Sequence, residues 1–219
     1  MTEKPYASIV RFAEQCLDHH GDSFRGVGWT RSQEQTDRRY RVMLGLLAPA
    51  RGRSATLLDF GCGASHLYEH IRRHGRDDIH YSGLDVSARF LELSRGKFPH
   101  LTYYDVDVLD DDAGLPDFDY IVMNGVFTLR SALSVPAMMA YFEALVTRVW
   151  AHARRGIAFN VMSRYVEWER DDLFHMPMET LAAFLTRGLS RHFVLRHDYG
   201  LFEYTAYVYR DPIDTEEPG

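Results

Sequence analysis

The 219-residue chain has only two cysteines, Cys16 and Cys62. That is too few for a disulfide framework or a thiolate zinc cluster. No apolar run approaches the roughly 18 residues that suggest a membrane span. The first twenty residues carry charges throughout and lack the apolar core of a secretory leader. These absences make cytoplasmic residence, with no membrane partner, the expectation. Basic charge is also short, 25 Lys and Arg against 31 Asp and Glu, for a formal net charge of -6. That balance argues against a broad electrostatic footprint, so no nucleic-acid partner is expected. With no internal repeat and no low-complexity linker, the length fits one domain, with room for a small lid.

What the chain does have is a change of texture along its length. Residues 6–20 place Ile9, Val10, Phe12, Ala13 and Leu17 at amphipathic-helix spacing. A glycine-bearing turn follows, and a second helix is expected over 32–47, ended by Pro49. Short apolar runs then alternate with helical patterns. Strands are expected over 56–60, 81–85, 101–106, 120–124 and 156–161, and helices over 65–73, 88–97 and 136–153. Such alternation predicts an α/β fold, a mostly parallel sheet with helices on both faces. The continuous runs Ile121-Val122-Met123 and Ile157-Ala158-Phe159 suit strands buried on both sides. After a helix over 178–189, two strand-like runs at 192–197 and 204–210 have only a short connection, which predicts an antiparallel hairpin.

The first strand ends in Asp59-Phe60-Gly61-Cys62-Gly63 and opens into a helix. Gly61 and Gly63 let backbone come close to a ligand. In an open parallel sheet, that ligand sits beyond the carboxyl ends of the strands. Asp85 ends the next strand, 22 residues past Gly63, where a carboxylate accepts from both ribose hydroxyls of an adenosine group. Asp107-Val108 follows the third strand, an acidic side chain and an amide suited to adenine; Asp105 competes for the acidic role. Asn124-Gly125 follows the fourth strand and is expected to pass beneath the ligand.

In these motifs the chain resembles the class I methyltransferases dependent on S-adenosylmethionine (SAM). The resemblance covers residues 57–161 and extends toward 210. It implies a Rossmann-like seven-stranded sheet whose seventh strand runs antiparallel between the fifth and sixth, as the terminal hairpin allows. It divides the chain into an N-terminal helical lid at 1–50, a methyltransferase domain at 51–211 and an acidic tail at 212–219. It implies SAM as cofactor and S-adenosylhomocysteine as product. Asp59, Gly61 and Gly63 would then shape the methionine pocket, Asp85 take the ribose, and Asp107 and Val108 the adenine. Asn124 would lie beneath the cofactor, with Trp29, Arg39 or Tyr40 of the lid over it. One departure is Ser65, where the family often carries a third glycine.

Methyl transfer is an in-line displacement that requires an aligned acceptor about 3 Å from the methyl group. A hydroxyl acceptor benefits from a general base. Topology gathers candidates past the fourth, fifth and sixth strands. His197, His175 and Asp172 are candidate bases. Phe127, Arg130, Tyr165, Trp168, Asp171 and Tyr199 are candidate acceptor contacts. Asn124 and Asn160 without an acidic triad argue against a required metal. Cys62 has no base beside it in sequence and is expected to be inert.

The expected activity is methylation of an oxygen or nitrogen on a small molecule or on a sugar or peptide precursor. Methylation of tRNA or protein is the alternative. The Asn-Pro-Pro-Tyr-type run of many base and glutamine methylases is missing, since the chain reads Asn124-Gly125-Val126-Phe127. A nucleotide-dependent oxidoreductase shares the glycine turn but not the closing hairpin.

Overall fold

The computed structural model describes residues 4–29, 32–50, 53–110 and 114–213. Most of the expected acidic tail, 214–219, therefore lies outside the described residues. Two helices lead, α1 (Ala7–His20) and α2 (Gln33–Leu44), followed by a 3-10 segment Gly45–Ala50. Pro49 lies in that segment, so the helix expected to reach residue 47 tightens three residues earlier. Next come β1 (Ala55–Phe60), α3 (His66–Arg73), β2 (Ile79–Leu84), α4 (Ala88–Lys97), β3 (Thr102–Tyr104) and β4 (Phe118–Phe127). The chain closes with α5 (Val135–Ala151), β5 (Ala153–Met162), α6 (Met178–Gly188), β6 (His192–Arg196) and β7 (Glu203–Tyr209).

These strands form one seven-stranded sheet in the order β3-β2-β1-β4-β5-β7-β6. The first five strands are mutually parallel, and β7 pairs antiparallel with both β5 and β6. The strand order reverses between β1 and β4, so a ligand crevice belongs beyond their carboxyl ends.

Side-chain alternation divides the core into two layers. Leu58, Phe60, Ile121, Met123, Ile157, Phe159, Tyr204 and Val208 face α5 and α6. Leu57, Tyr120, Val122, Ala158, Tyr207 and Tyr209 face α2 and α3. Helix starts follow local chemistry, as Ser32, Ser87 and Ser134 each accept from an N–H in the first turn of their helix.

Strand β4 runs further than its sequence suggests. Its pairing with β5 slips between Met123↔Phe159 and Phe127↔Val161. Four residues on β4 there span the length of two on β5, which is a bulge. Gly125 lies in the bulge with φ +87°. The glycine read from sequence as ending the strand instead bends it, and pairing resumes at Phe127. That residue is fully buried and stacks edge-on against Phe142 and Phe159. It belongs to the core, which corrects its expected position at the site mouth.

Candidate active site

A pocket opens at the carboxyl ends of β1, β2 and β4, where topology places it. Its wall includes Asp59, Gly61, Gly63, Asp85, Asp107, Asn124 and Trp29. Tyr40 lines it too, so eight of the ten residues that the resemblance assigns to the cofactor share one space.

The glycine turn has little room. Gly61 has φ +74°, and a Cβ there would approach Val126 Cγ2 to 2.9 Å. Gly125 is tighter, since a Cβ would lie 2.8 Å from Trp29 Cη2. Both positions need positive φ and a bare backbone. Ser65 also adopts a left-handed conformation, φ 58°, although it is not glycine. Its hydroxyl donates to Ser94 Oγ at 2.9 Å and lies 3.0 Å from Tyr103 Oη. These bonds offset the roughly 1–2 kcal/mol cost of left-handed backbone. They explain how the chain dispenses with a third glycine.

The acidic groups differ in setting. Asp85 Oδ2 accepts from Gly63 N–H and Oδ1 from Ser87 N–H, each at 2.9 Å. Burial pushes its carboxyl up, and those amide bonds pull it back. An ionised carboxylate offers about four acceptor sites, so Asp85 keeps capacity for ligand hydroxyls. Asp59 is buried and accepts from Tyr81 Oη at 2.8 Å. Burial pushes its carboxyl up to about 7, against the pull of the Tyr81 bond. Asp107 accepts from Tyr6 Oη at 2.5 Å and Lys4 Nζ at 3.1 Å on Oδ2, and from Leu109 N–H on Oδ1. Its carboxyl titrates below the ordinary value: burial raises it, but these hydrogen bonds prevail. Asp105 is exposed and does not line the pocket. Asn124 Oδ1 is a buried acceptor without a partner among the described residues.

Two expected cofactor residues are not part of that wall, though for Val108 the group expected at adenine is its amide and not its side chain. The Val108 side chain is packed in the core. Arg39 points to Glu203, which accepts from its Nε at 2.9–3.0 Å and its Nη2 at 2.8 Å.

Helix α1 roofs the pocket with Ile9, Val10, Phe12 and Ala13. It is tied down by Ser87 Oγ donating to Glu14 at 2.6 Å and by the Arg89–Asp18 pair. The groups expected to meet an acceptor lie outside this wall. His197 is exposed on the loop after β6. His175 Nδ1 lies 2.6 Å from Ser163 O, and its Nε2 accepts from Arg170 N–H, so both ring nitrogens are engaged. Asp172 pairs with Arg170, while Asp171 is exposed. Arg130 donates to Leu133 O. Tyr165 and Trp168 are 67% and 72% exposed. Tyr199 is buried with its hydroxyl 2.9 Å from Thr205 Oγ1. The segment between β5 and α6 is stitched along 128–131 through Phe174 N–H to Thr128 O and Arg130 N–H to Asp172 O.

Several lining residues escaped the sequence reading: Tyr6, His66, Thr128, Leu129 and Tyr141. His66 directly follows Gly-Cys-Gly-Ala-Ser, a position visible in sequence. Tyr6 and Thr128 carry no such signal. Cys62 also lines the pocket, but burial pushes its thiol far up and keeps it protonated.

Comparison with known proteins gives a consistent picture. Residues 58–156 match the family described as "Methyltransferase domain". The chain is 31% identical over 156 residues to "Putative methyltransferase Rv1506c" of Mycobacterium tuberculosis, covering 68% of this chain and 90% of that protein. Its fold is similar to magnesium protoporphyrin IX methyltransferase from Synechocystis PCC 6803, solved with bound SAM. The TM-score is 0.64 at 12% identity, over 96% of this chain and 100% of that one. It is also similar to 1,6-didemethyltoxoflavin-N1-methyltransferase from Burkholderia thailandensis (TM-score 0.59, 16% identity, 95% and 91% covered). A third likeness is to an amino pentose methyltransferase from Micromonospora echinaspora (TM-score 0.54, 18% identity, 95% and 100% covered).

Proposed function

Since the chain belongs to the class I SAM-dependent methyltransferases, we propose that it uses SAM to methylate an oxygen or nitrogen of a small molecule, or of a sugar or peptide precursor. The observation that carries this reading is the convergence of Asp59, Gly61, Gly63, Asp85, Asp107 and Asn124 on one pocket. When bound, SAM supplies an electrophilic methyl group on a sulfonium.

The donor set fits such a ligand. Asp85 has acceptor capacity beyond Gly63 and Ser87 for the ribose hydroxyls. The orphaned Asn124 Oδ1 suits an ammonium donor, and a buried acceptor without a partner is costly until one arrives. Asp59 supplies negative charge near that cationic end. Asp107 faces the adenine end with Tyr6 beside it. Gly61 and Gly125 leave the room that any side chain would take.

Acceptor contacts are assigned to the pocket wall: the apolar face of α1 above, with Thr128 and Leu129 past the β4 bulge. That wall suits an acceptor with an apolar body, and a small-molecule acceptor is supported by the names of the Burkholderia and Micromonospora enzymes. Isothermal titration with SAM tests the donor half. Absence of binding at millimolar SAM would overturn it. Transfer of labelled methyl to pooled small metabolites, compared with total RNA and total protein, tests the acceptor half; label in either macromolecule would overturn it.

A further inference from the structure

Five residues close a ring of contacts behind the pocket. The Gly125 N–H, freed from the ladder by the bulge, donates to Asn160 Oδ1 at 2.7 Å. Asn160 Nδ2 donates to Glu203 Oε1 at 2.9 Å. Glu203 accepts from Arg39 Nε and Nη2 at 2.8–3.0 Å. The Arg39 guanidinium carbon lies 4.2 Å from the centre of the Trp29 ring. Trp29 in turn packs on Gly125 so closely that a Cβ there would meet it at 2.8 Å. Asn160 and Glu203 are buried, on neighbouring strands β5 and β7.

The chemistry of each group fixes the next. An ionised carboxylate only accepts, so Glu203 draws the amide NH2 of Asn160 and leaves Oδ1 facing the Gly125 N–H. The same carboxylate holds the guanidinium at two nitrogens, a geometry that suits the planar arginine group. That leaves the flat face of Arg39 for the indole. With Nε and Nη2 committed to Glu203 and its face to Trp29, Arg39 serves the site through its neighbours.

We propose that Glu203 and Asn160 are positioning residues for donor binding. They clamp the bulge at Gly125 from below and, through Arg39, hold Trp29 over it from above. Both walls of the methionine end of the pocket then depend on one buried carboxylate. This proposal rests on the methyltransferase reading above.

The test combines hydrogen exchange on the ligand-free protein with SAM titration, for wild type, Glu203→Gln, Asn160→Leu and Arg39→Lys. Val208→Ala, a core change on β7 remote from the pocket wall, controls for lost stability alone. Expected for Glu203→Gln and Asn160→Leu are exchange at the Gly125 amide faster by about tenfold or more and a SAM Kd raised about tenfold. Arg39→Lys keeps the charge but loses the flat stack, so Trp29 becomes more accessible to acrylamide while Gly125 stays protected. Val208→Ala lowers Tm and leaves the Kd unchanged. Wild-type exchange and wild-type affinity in folded Glu203→Gln would overturn the proposal, as would an equal loss of affinity in Val208→Ala. If Glu203→Gln fails to fold, Asn160→Leu and Arg39→Lys carry the same comparison. If the wild type itself does not bind SAM, the methyltransferase reading fails separately. Gly125 exchange and Trp29 quenching then still decide whether the clamp exists.

Discussion

Asp59 and Tyr81 form a buried pair on adjacent parallel strands, with the tyrosine hydroxyl donating to Asp59 Oδ2 at 2.8 Å. Burial pushes the Asp59 carboxyl up to about 7, and the Asp85 charge adds to that push. The neutral form is therefore well populated near pH 7 before any ligand arrives. A cationic ligand favours the carboxylate, so binding is expected to release protons. With a pKa of about 7, roughly half a proton should leave per SAM bound at pH 7, and close to none at pH 9. Titration calorimetry in buffers of differing ionisation enthalpy measures this. A buffer-independent heat at pH 7 would remove Asp59 from the cationic end of the site.

The same pair predicts a trade of stability against function. A carboxyl raised in the folded state binds more protons than in the unfolded chain. Its contribution is full below the unfolded value of about 4 and is lost as pH rises through about 7. Asp59→Asn keeps an oxygen for the Tyr81 hydroxyl and removes the buried charge. At pH 8 the variant should be more stable than wild type by on the order of a few kcal/mol. SAM affinity should fall at least tenfold. Thermal melts at pH 5 and pH 8 separate the terms, since the gain should shrink at the lower pH.

Much of this was legible in the chain. Apolar runs such as Ile121-Val122-Met123 identify doubly buried strands because parallel sheets are covered on both faces. The Asp59 to Gly63 turn and Asp85 are readable as pocket residues because the crevice of such a sheet lies at strand ends, which sequence locates well. Acceptor candidates were less legible. Asn124-Gly125 looks like a strand end, and only the pairing with β5 reveals a bulge that returns Phe127 to the core. Arg39 looks like a free cation, but its partner Glu203 lies 164 residues away. Tyr6 reaches Asp107 across 101 residues. Long-range pairings of this kind leave no periodic trace.

Gly125→Ala should fail for two reasons that can be separated. Its φ of +87° strains any L-residue, and the new methyl would lie 2.8 Å from Trp29. The backbone cost is about 1–2 kcal/mol, and the clash adds on the order of 1–3 kcal/mol. Trp29→Ala in the same chain relieves only the clash. The double variant should therefore be more stable than the two single losses sum to, by about 1 kcal/mol or more. Chemical denaturation of the four proteins in the cycle measures this coupling, and strict additivity would show that Trp29 does not rest on Gly125.

Salt should loosen the roof and spare the clamp. Helix α1 is held by surface ion pairs, Lys4 to Asp107 and Arg89 to Asp18, which salt weakens as the Debye length falls from about 10 Å at 0.1 M to about 3 Å at 1 M. The Arg39–Glu203 pair is buried and screened much less. Raising the salt to about 1 M should speed amide exchange in α1 while the Gly125 amide keeps its protection. Equal sensitivity at both places would mean that roof and clamp open as one unit.

Chelation should leave SAM binding intact. Among the described residues, Asp22, His66 and Glu69 are the group whose ligand atoms gather within 4.8 Å of one another, and His66 lines the pocket. Lys97 already fills that cluster. Its ammonium lies 2.8 Å from Asp22 and 2.7 Å from Glu69, and it donates to Ala64 O at 2.9 Å. A divalent cation would have to displace an ammonium that satisfies both carboxylates and caps the glycine turn. The expected result is the same SAM Kd with and without EDTA. Lys97→Met should weaken binding by loosening the turn at Ala64, and magnesium should not restore it. Rescue by magnesium would instead make this cluster a metal site in which lysine holds the place of the ion.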